Sequence, residues 1–172
     1  MLKLWNRRRK FRDVISTGYD PFNAATVRKK INAGEVTKAA NQKETDPKIT
    51  ELRSEINSQI VEKNIPAAAK AYLDLVKIDQ TQLLPQTHLL DIANQLASQG
   101  QYKEAAAAYE KFLSHYSGYE YIGQVQLMLG LIYSRYLKEP EPAVRLLQLA
   151  QKNLTDPAQL QMCKDELEKL QS

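Results

Sequence analysis

Cysteine is all but missing. Cys163 is the only one in 172 residues, so no internal disulfide can form, and a reducing compartment is the natural setting. Histidine is scarce as well: His88 and His115 are the only two, and neither has another His, Cys or acid at metal-ligand spacing. The six glycines include no phosphate-cradling loop. No apolar run approaches the ~20 residues needed to cross a bilayer. MLKLW is too short for the core of a signal peptide. Arg8-Arg9-Lys10-Phe11 lacks the apolar stretch that would make it a twin-arginine export signal, and Asp13 and Asp20 weaken an organelle transit peptide. Acid–base and nucleophilic catalysis both need titratable groups that converge. These shortages predict a chain with no enzymatic activity, no cofactor and no metal.

Charge of one sign is missing from the front of the chain. Through Lys43 eleven Lys and Arg face only Asp13, Asp20 and Glu35, a net of +8, whereas the remainder holds thirteen bases against seventeen acids, a net of −4. Two parts of opposite sign can each have a partner of their own. Between Ser16 and Pro47 the chain reads as a linker, with a short helix from Asn23 to Ile31 stopped at Gly34 and a polar stretch over 38–46. The expected division is a basic, partly disordered N-terminal segment and linker over 1–46, followed by a helical domain over 47–172.

What is abundant is Ala, Leu and Gln, a helix-favouring composition, and it repeats. Residues 63–75 set under 100–112 agree at an offset of 37: Ala68 meets Ala105, Tyr72 meets Tyr109 and Leu75 meets Phe112. The preceding helix agrees too, since Leu52 meets Leu89 and Ile56 meets Ala93. A further step takes Ala93 to Gly130 at 37 but Ala105 to Ala143 at 38, and an insertion in the turn around Glu139-Pro140-Glu141-Pro142 would account for the slip. Each unit reads as two antiparallel helices. Leu89, Ile92, Ala93 and Leu96 share one face of the first helix of the middle unit. Gly100 ends that helix, and Tyr102, Ala105, Tyr109 and Phe112 line the second. Of the Ala105–Ala108 run, Ala105 is expected to be the packing residue and its neighbours helix formers. Leu160, Cys163, Leu167 and Leu170 form a stripe that makes Cys163 a core residue of a final capping helix. His88 near a helix start and His115 near a helix end, where the dipole favours an imidazolium, are expected to be structural.

The order Leu89, Ile92, Ala93, Leu96, Gly100, Tyr102, Ala105, Tyr109, Phe112 resembles the tetratricopeptide repeat consensus over residues 49–155. Three departures stand out: Ser117 where the family usually has proline, a period longer than is common, and Leu137 in place of a glycine near the third turn. The longer period is closer to divergent repeats of bacterial envelope and assembly-scaffold proteins. The resemblance implies an all-α fold: about three antiparallel helix pairs in a right-handed solenoid, closed by a C-terminal capping helix. It further implies a scaffold that holds a protein or peptide ligand in a groove lined by the first helices. Carried over residue by residue, that groove would present Arg53, Asn57 and Ile60, then Thr87, Leu90, Asn94 and Ser98, then Gln124, Leu127, Leu131 and Arg135. Arg53 with Asn57 resembles the first two members of the carboxylate clamp of chaperone-binding relatives. The other clamp positions fall on Asp91, Gln124 and Met128, and Asp91 would repel a C-terminal carboxylate, so chaperone-tail binding is not expected.

The stretch LWNRRRKF admits three readings: a solvated tail, a nucleic-acid contact, or a membrane contact. Nucleic acid is the poorest fit, because the cluster is short, no DNA-reading motif follows and the acidic array would repel a second contact. A membrane fits best. Leu2, Leu4 and Trp5 supply apolar bulk, and Trp favours the water–lipid interface. Arg7, Arg8, Arg9, Lys10 and Arg12 supply cations that anionic lipids hold at about 1 kcal/mol each. The run Trp5–Arg12 followed by Gly18–Phe22 is also similar to the tail that leaves the last span of some polytopic membrane proteins, rhomboid-type intramembrane proteases among them. That likeness implies that the chain would be the regulatory or docking tail of a membrane enzyme whose catalytic part lies outside this sequence. The resulting expectation is a non-catalytic scaffold in the cytoplasm, at the inner face of a membrane, with a nucleic-acid-associated adaptor as a further alternative.

Overall fold

The computed structural model describes residues 46–171, and within them the chain is all-α. Three of its helices begin with the sequence chemistry of a capped N-terminus. Asp46 accepts a hydrogen bond from the Lys48 N–H at 2.9 Å ahead of Pro47 and opens α1 (Pro47–Val61). Asn64 accepts from Ala67 N–H and opens α2 (Ile65–Ile78). Each cap satisfies a donor that the first turn leaves orphaned, and proline at the start forfeits nothing there. Next come α3 (Gln86–Ser98) and α4 (Tyr102–His115), then α5 (Ile122–Ile132), which continues into a π-helical segment over Tyr133–Leu137. Finally α6 (Pro140–Asn153) is joined by three residues to α7 (Pro157–Gln171), whose first turn is capped by Asp156 accepting from Gln159 N–H at 2.9 Å. These seven helices pack in consecutive pairs, α1 on α2, α3 on α4 and α5 on α6, with each pair against the next and α7 on the last.

The register seen in the sequence is the register of burial. Ala68, Ala105 and Ala143 are all at 0% exposure, and so are Leu75 and Phe112. Tyr72 and Tyr109 are buried beside them. The run Ala105–Ala108 differs from expectation, since Ala105, Ala106 and Ala108 are all buried and only Ala107 faces solvent. Small side chains are needed on two sides of α4, one for each neighbouring helix. Tight approach also explains two glycines of α5. A Cβ on Gly123 would sit 2.8 Å from the carbonyl carbon of Asn153, and one on Gly130 would sit 2.9 Å from Leu147 Cγ.

The turns between paired helices are equivalent as well. Lys63, Gly100 and Lys138 all adopt left-handed backbone, with φ of 60°, 77° and 60°. Around each, the N–H after the turn reaches back to a carbonyl of the previous helix: Asn64 to Gln59, Gln101 to Leu96, and Glu139 to Tyr133. The acceptors are spaced by 37 and 37 and the donors by 37 and 38, so the additional residue lies between Tyr133 and Glu139. The structure therefore moves the insertion out of the Glu139–Pro142 turn and into the π segment, Tyr133–Leu137. A π turn closes its hydrogen bonds one residue later than an α turn, so it takes up one residue without breaking the helix. Pro140 and Pro142, fixed in φ at the start of α6, leave no slack for it there.

Candidate interaction surface and a buried carboxylate clamp

The first helices of the pairs were expected to line a binding groove; Ile60 is half-buried on α1, and the other ten residues named for it divide into two sets. Asn57 and Thr87 are exposed on α1 and α3, and Asn94, Ser98 and Gln124 are half-buried. Asn94 accepts a hydrogen bond from the buried Tyr109 hydroxyl at 2.5 Å, and Ser98 donates to Gln95 O at 2.6 Å. These five are polar and uncharged, with exposed Asp91 between Thr87 and Asn94 on the same face of α3. The others are apolar or charged, and each is engaged within the domain. The Arg53 guanidinium donates to Gln82 Oε1 at 2.8 Å and to Leu83 O at 3.2 Å, which pins the α2–α3 loop. Leu90 is buried. Leu127 is buried in a cluster with Leu147, Ala150, Leu154, Cys163 and Leu167, and Leu131 packs against that cluster. Leu127 and Leu131 thus lie under α7.

Arg135 belongs to the same seat. Glu166 on α7 is only 3% exposed, and it is the one buried charged side chain among the described residues. Its Oε1 accepts from Ser134 Oγ at 2.6 Å, and its Oε2 accepts from Arg135 Nε at 3.0 Å and Nη2 at 2.5 Å. Lys169 Nζ lies 3.8 Å away on the same helix. A carboxylate out of water is tolerable only when its lone pairs are met in this way. The hydrogen bonds from Arg135 are the main reason its pKa falls below that of an ordinary glutamate, against the opposing effect of burial.

Both donors come from the π segment, whose widened turn serves two neighbouring helices, α4 and α7, at once. Tyr133 donates its hydroxyl proton to Glu110 on α4, and burial with that contact pushes the Tyr133 pKa well up. Tyr136 stacks on Tyr102 of α4 with ring centroids 3.7 Å apart. None of these contacts was read from the sequence, although one signal was available. The core pattern Leu89, Ile92, Ala93, Leu96 recurs two periods later as Cys163, Glu166, Leu167, Leu170, which puts a glutamate in the place of a core isoleucine.

Cys163 is fully buried, as the stripe predicted, and its thiol donates to Leu147 O at 2.9 Å. Burial raises its pKa and so disfavours the reactive thiolate. His115 closes α4 with Nδ1 2.9 Å from Lys111 O. His88 lies in the first turn of α3 with Nδ1 buried and unpartnered. Among the described residues no three His, Cys, Asp or Glu side chains cluster to hold a metal, and no helix is long and apolar enough to cross a membrane. The segment expected to touch a membrane, Trp5 to Arg12 with Arg7, Arg8, Arg9 and Lys10 among its residues, and the short helix expected over 23–31 lie outside the described residues. No protein-family model matches the chain, and no curated protein matches it.

Proposed function

We propose that the chain is a non-catalytic interaction scaffold: a tetratricopeptide-like solenoid that holds a protein or peptide ligand along α1, α3 and α5, tethered to an anionic membrane surface by its basic N-terminal segment. The observation that carries the reading is the polar stripe. Asn57 and Thr87 stand exposed on the first helices of successive pairs, with Asn94, Ser98 and Gln124 beside them. Core positions of those helices are fixed by the repeat, but of this set only Asn94 serves the core, through the Tyr109 hydroxyl, and a row of polar donors and acceptors suits the backbone of a bound segment. Arg53 is held by the α2–α3 loop, which removes it from a carboxylate clamp and leaves Asp91 as an acidic residue among these positions.

Peptides selected from a random display library on the full chain should lose binding to an Asn57→Arg, Thr87→Arg variant. Selected peptides indifferent to both changes would sink the groove. The membrane half is tested by sedimentation with anionic and neutral vesicles at physiological salt. Pelleting with anionic vesicles alone, abolished when Arg7, Arg8 and Arg9 become alanine, is the expected result. A chain that stays in the supernatant with both would overturn the tether.

A further inference from the structure

We propose that α7 is a releasable strap over a helix seat, latched by Glu166, and that it opens as a unit while the first two pairs stay folded. Three observations lead there. Among the described residues the helix packs mainly against α5, the π segment and α6, and a unit of a stacked structure can open with less free energy than the whole. Of its fifteen residues only Cys163, Glu166 and Leu167 are buried, with Leu160, Met162 and Leu170 packed half-buried beside them, so one of the three buried residues is a charge. That charge is held by side chains ready to return to water: the Arg135 side chain is already 40% exposed, and opening rehydrates both partners. A buried ion pair of this kind adds little to net stability while intact, yet it is costly to keep closed with one partner removed.

Opening uncovers Leu127 and Leu131, tipped by Ser134 and Arg135. The occupant such a seat takes has the chemistry of α7 itself, an amphipathic helix with a carboxylate one residue before an apolar anchor. That last step, an exchange of α7 for a partner's helix, rests on the scaffold reading above; the opening does not.

The chain carries its own probe, because Cys163 is the only cysteine and its thiol is sealed under α7 on Leu147 O. The rate at which Ellman's reagent modifies Cys163 in the full chain reads the opening. The expected rate depends on denaturant far less steeply than global unfolding does. Glu166→Gln should raise it about ten- to a hundredfold, the range for a lost hydrogen bond to a charged group, and Ser134→Ala by less, with amide exchange in α1 to α4 unchanged. Modification that follows the full denaturant dependence of global unfolding overturns the strap, and so does a rate that neither substitution moves. No ligand or vesicle enters the measurement, so a failure here leaves the groove and tether tests standing, and the reverse.

Discussion

The middle pair and the third pair meet the same register with different materials. In α3 and α4 the turn residue is Gly100, the first helix is α-helical to its end, and the inward face is apolar. In α5 and α6 the turn residue is Lys138, the first helix ends in a π segment, and that segment reaches out to a buried carboxylate. One inserted residue accounts for much of this difference. A surface loop usually absorbs an insertion, but here the loop is fixed by a left-handed turn on one side and two prolines on the other. The helix widens instead, and the widened turn directs Tyr133, Ser134, Arg135 and Tyr136 towards α4 and α7. The middle pair is a unit of the stack; the third pair is a unit modified to hold a cap.

Removing a large, wholly apolar anchor should damage the middle pair most. Phe112 is fully buried and stands where the first pair has Leu75. Phe112→Ala should cost about 3–5 kcal/mol, read as a lower urea midpoint. A loss under about 1 kcal/mol would mean that the middle pair is not the rigid reference that the comparison assumes.

The two glycines of α5 sharpen the contrast within the third pair. Gly123→Ala drives a methyl against the backbone of Asn153, 2.8 Å away, and backbone cannot swing aside. A cost of about 1–3 kcal/mol is expected. Gly130→Ala meets the branched end of Leu147 at 2.9 Å, with the Ala143 carbonyl at an ordinary 3.5 Å, and the equivalent residue of the middle pair is already Ala93. The helix propensity gained, about 1 kcal/mol, should roughly cancel the displacement. Equal losses at both sites would show that α5 and α6 are held by their side chains, not by close backbone approach.

Acid should distinguish the pairs more gently. The folded-state pKa of Glu166 lies below that of a free glutamate, chiefly through Arg135, so the unfolded chain takes up the proton first. The contribution of Glu166 is complete above the ordinary glutamate range and is lost as pH falls through the lowered folded value. Amide exchange in α7 should therefore quicken at acid pH while that in α3 and α4 changes less. In Glu166→Gln the added acid sensitivity of α7 should vanish, and if it persists another group is responsible.

The features legible in the sequence were those that repeat. The columns through Ala68, Tyr72 and Leu75, the Gly100 turn and the Leu160–Leu170 stripe could be read because identical packing problems recur every 37 residues. What escaped was whatever occurs once. The π segment has no periodicity of its own, and a slip of one residue locates an insertion only to within the span between two matched alanines. Arg53 and Leu127 look like surface and groove residues by register, and only the α2–α3 loop and α7 engage them. Glu166 was hidden because a glutamate on an amphipathic helix normally marks the wet face. The positions proposed for the groove come from the same offset that places the core, since Asn57 and Asn94, and Thr87 and Gln124, each lie 37 apart.

The smallest expected effect concerns the turns. Lys63 and Lys138 both hold φ at 60°, a conformation that costs a side-chain-bearing residue roughly 1–2 kcal/mol and glycine little. Lys→Gly at either position relieves that strain but frees the unfolded chain, so a net gain of about 0.5–1 kcal/mol is expected. Gly100→Ala should lose about 1 kcal/mol by the converse argument. Urea unfolding followed by far-ultraviolet circular dichroism resolves differences of this size. Gains at both lysines would mean that the three turns are one structural position filled twice by a poorer residue. A gain at Lys63 with none at Lys138 would mean that the π segment already relaxes the third turn. In that case the inserted residue does two things at once: it eases the turn that follows and presents Ser134 and Arg135 to α7.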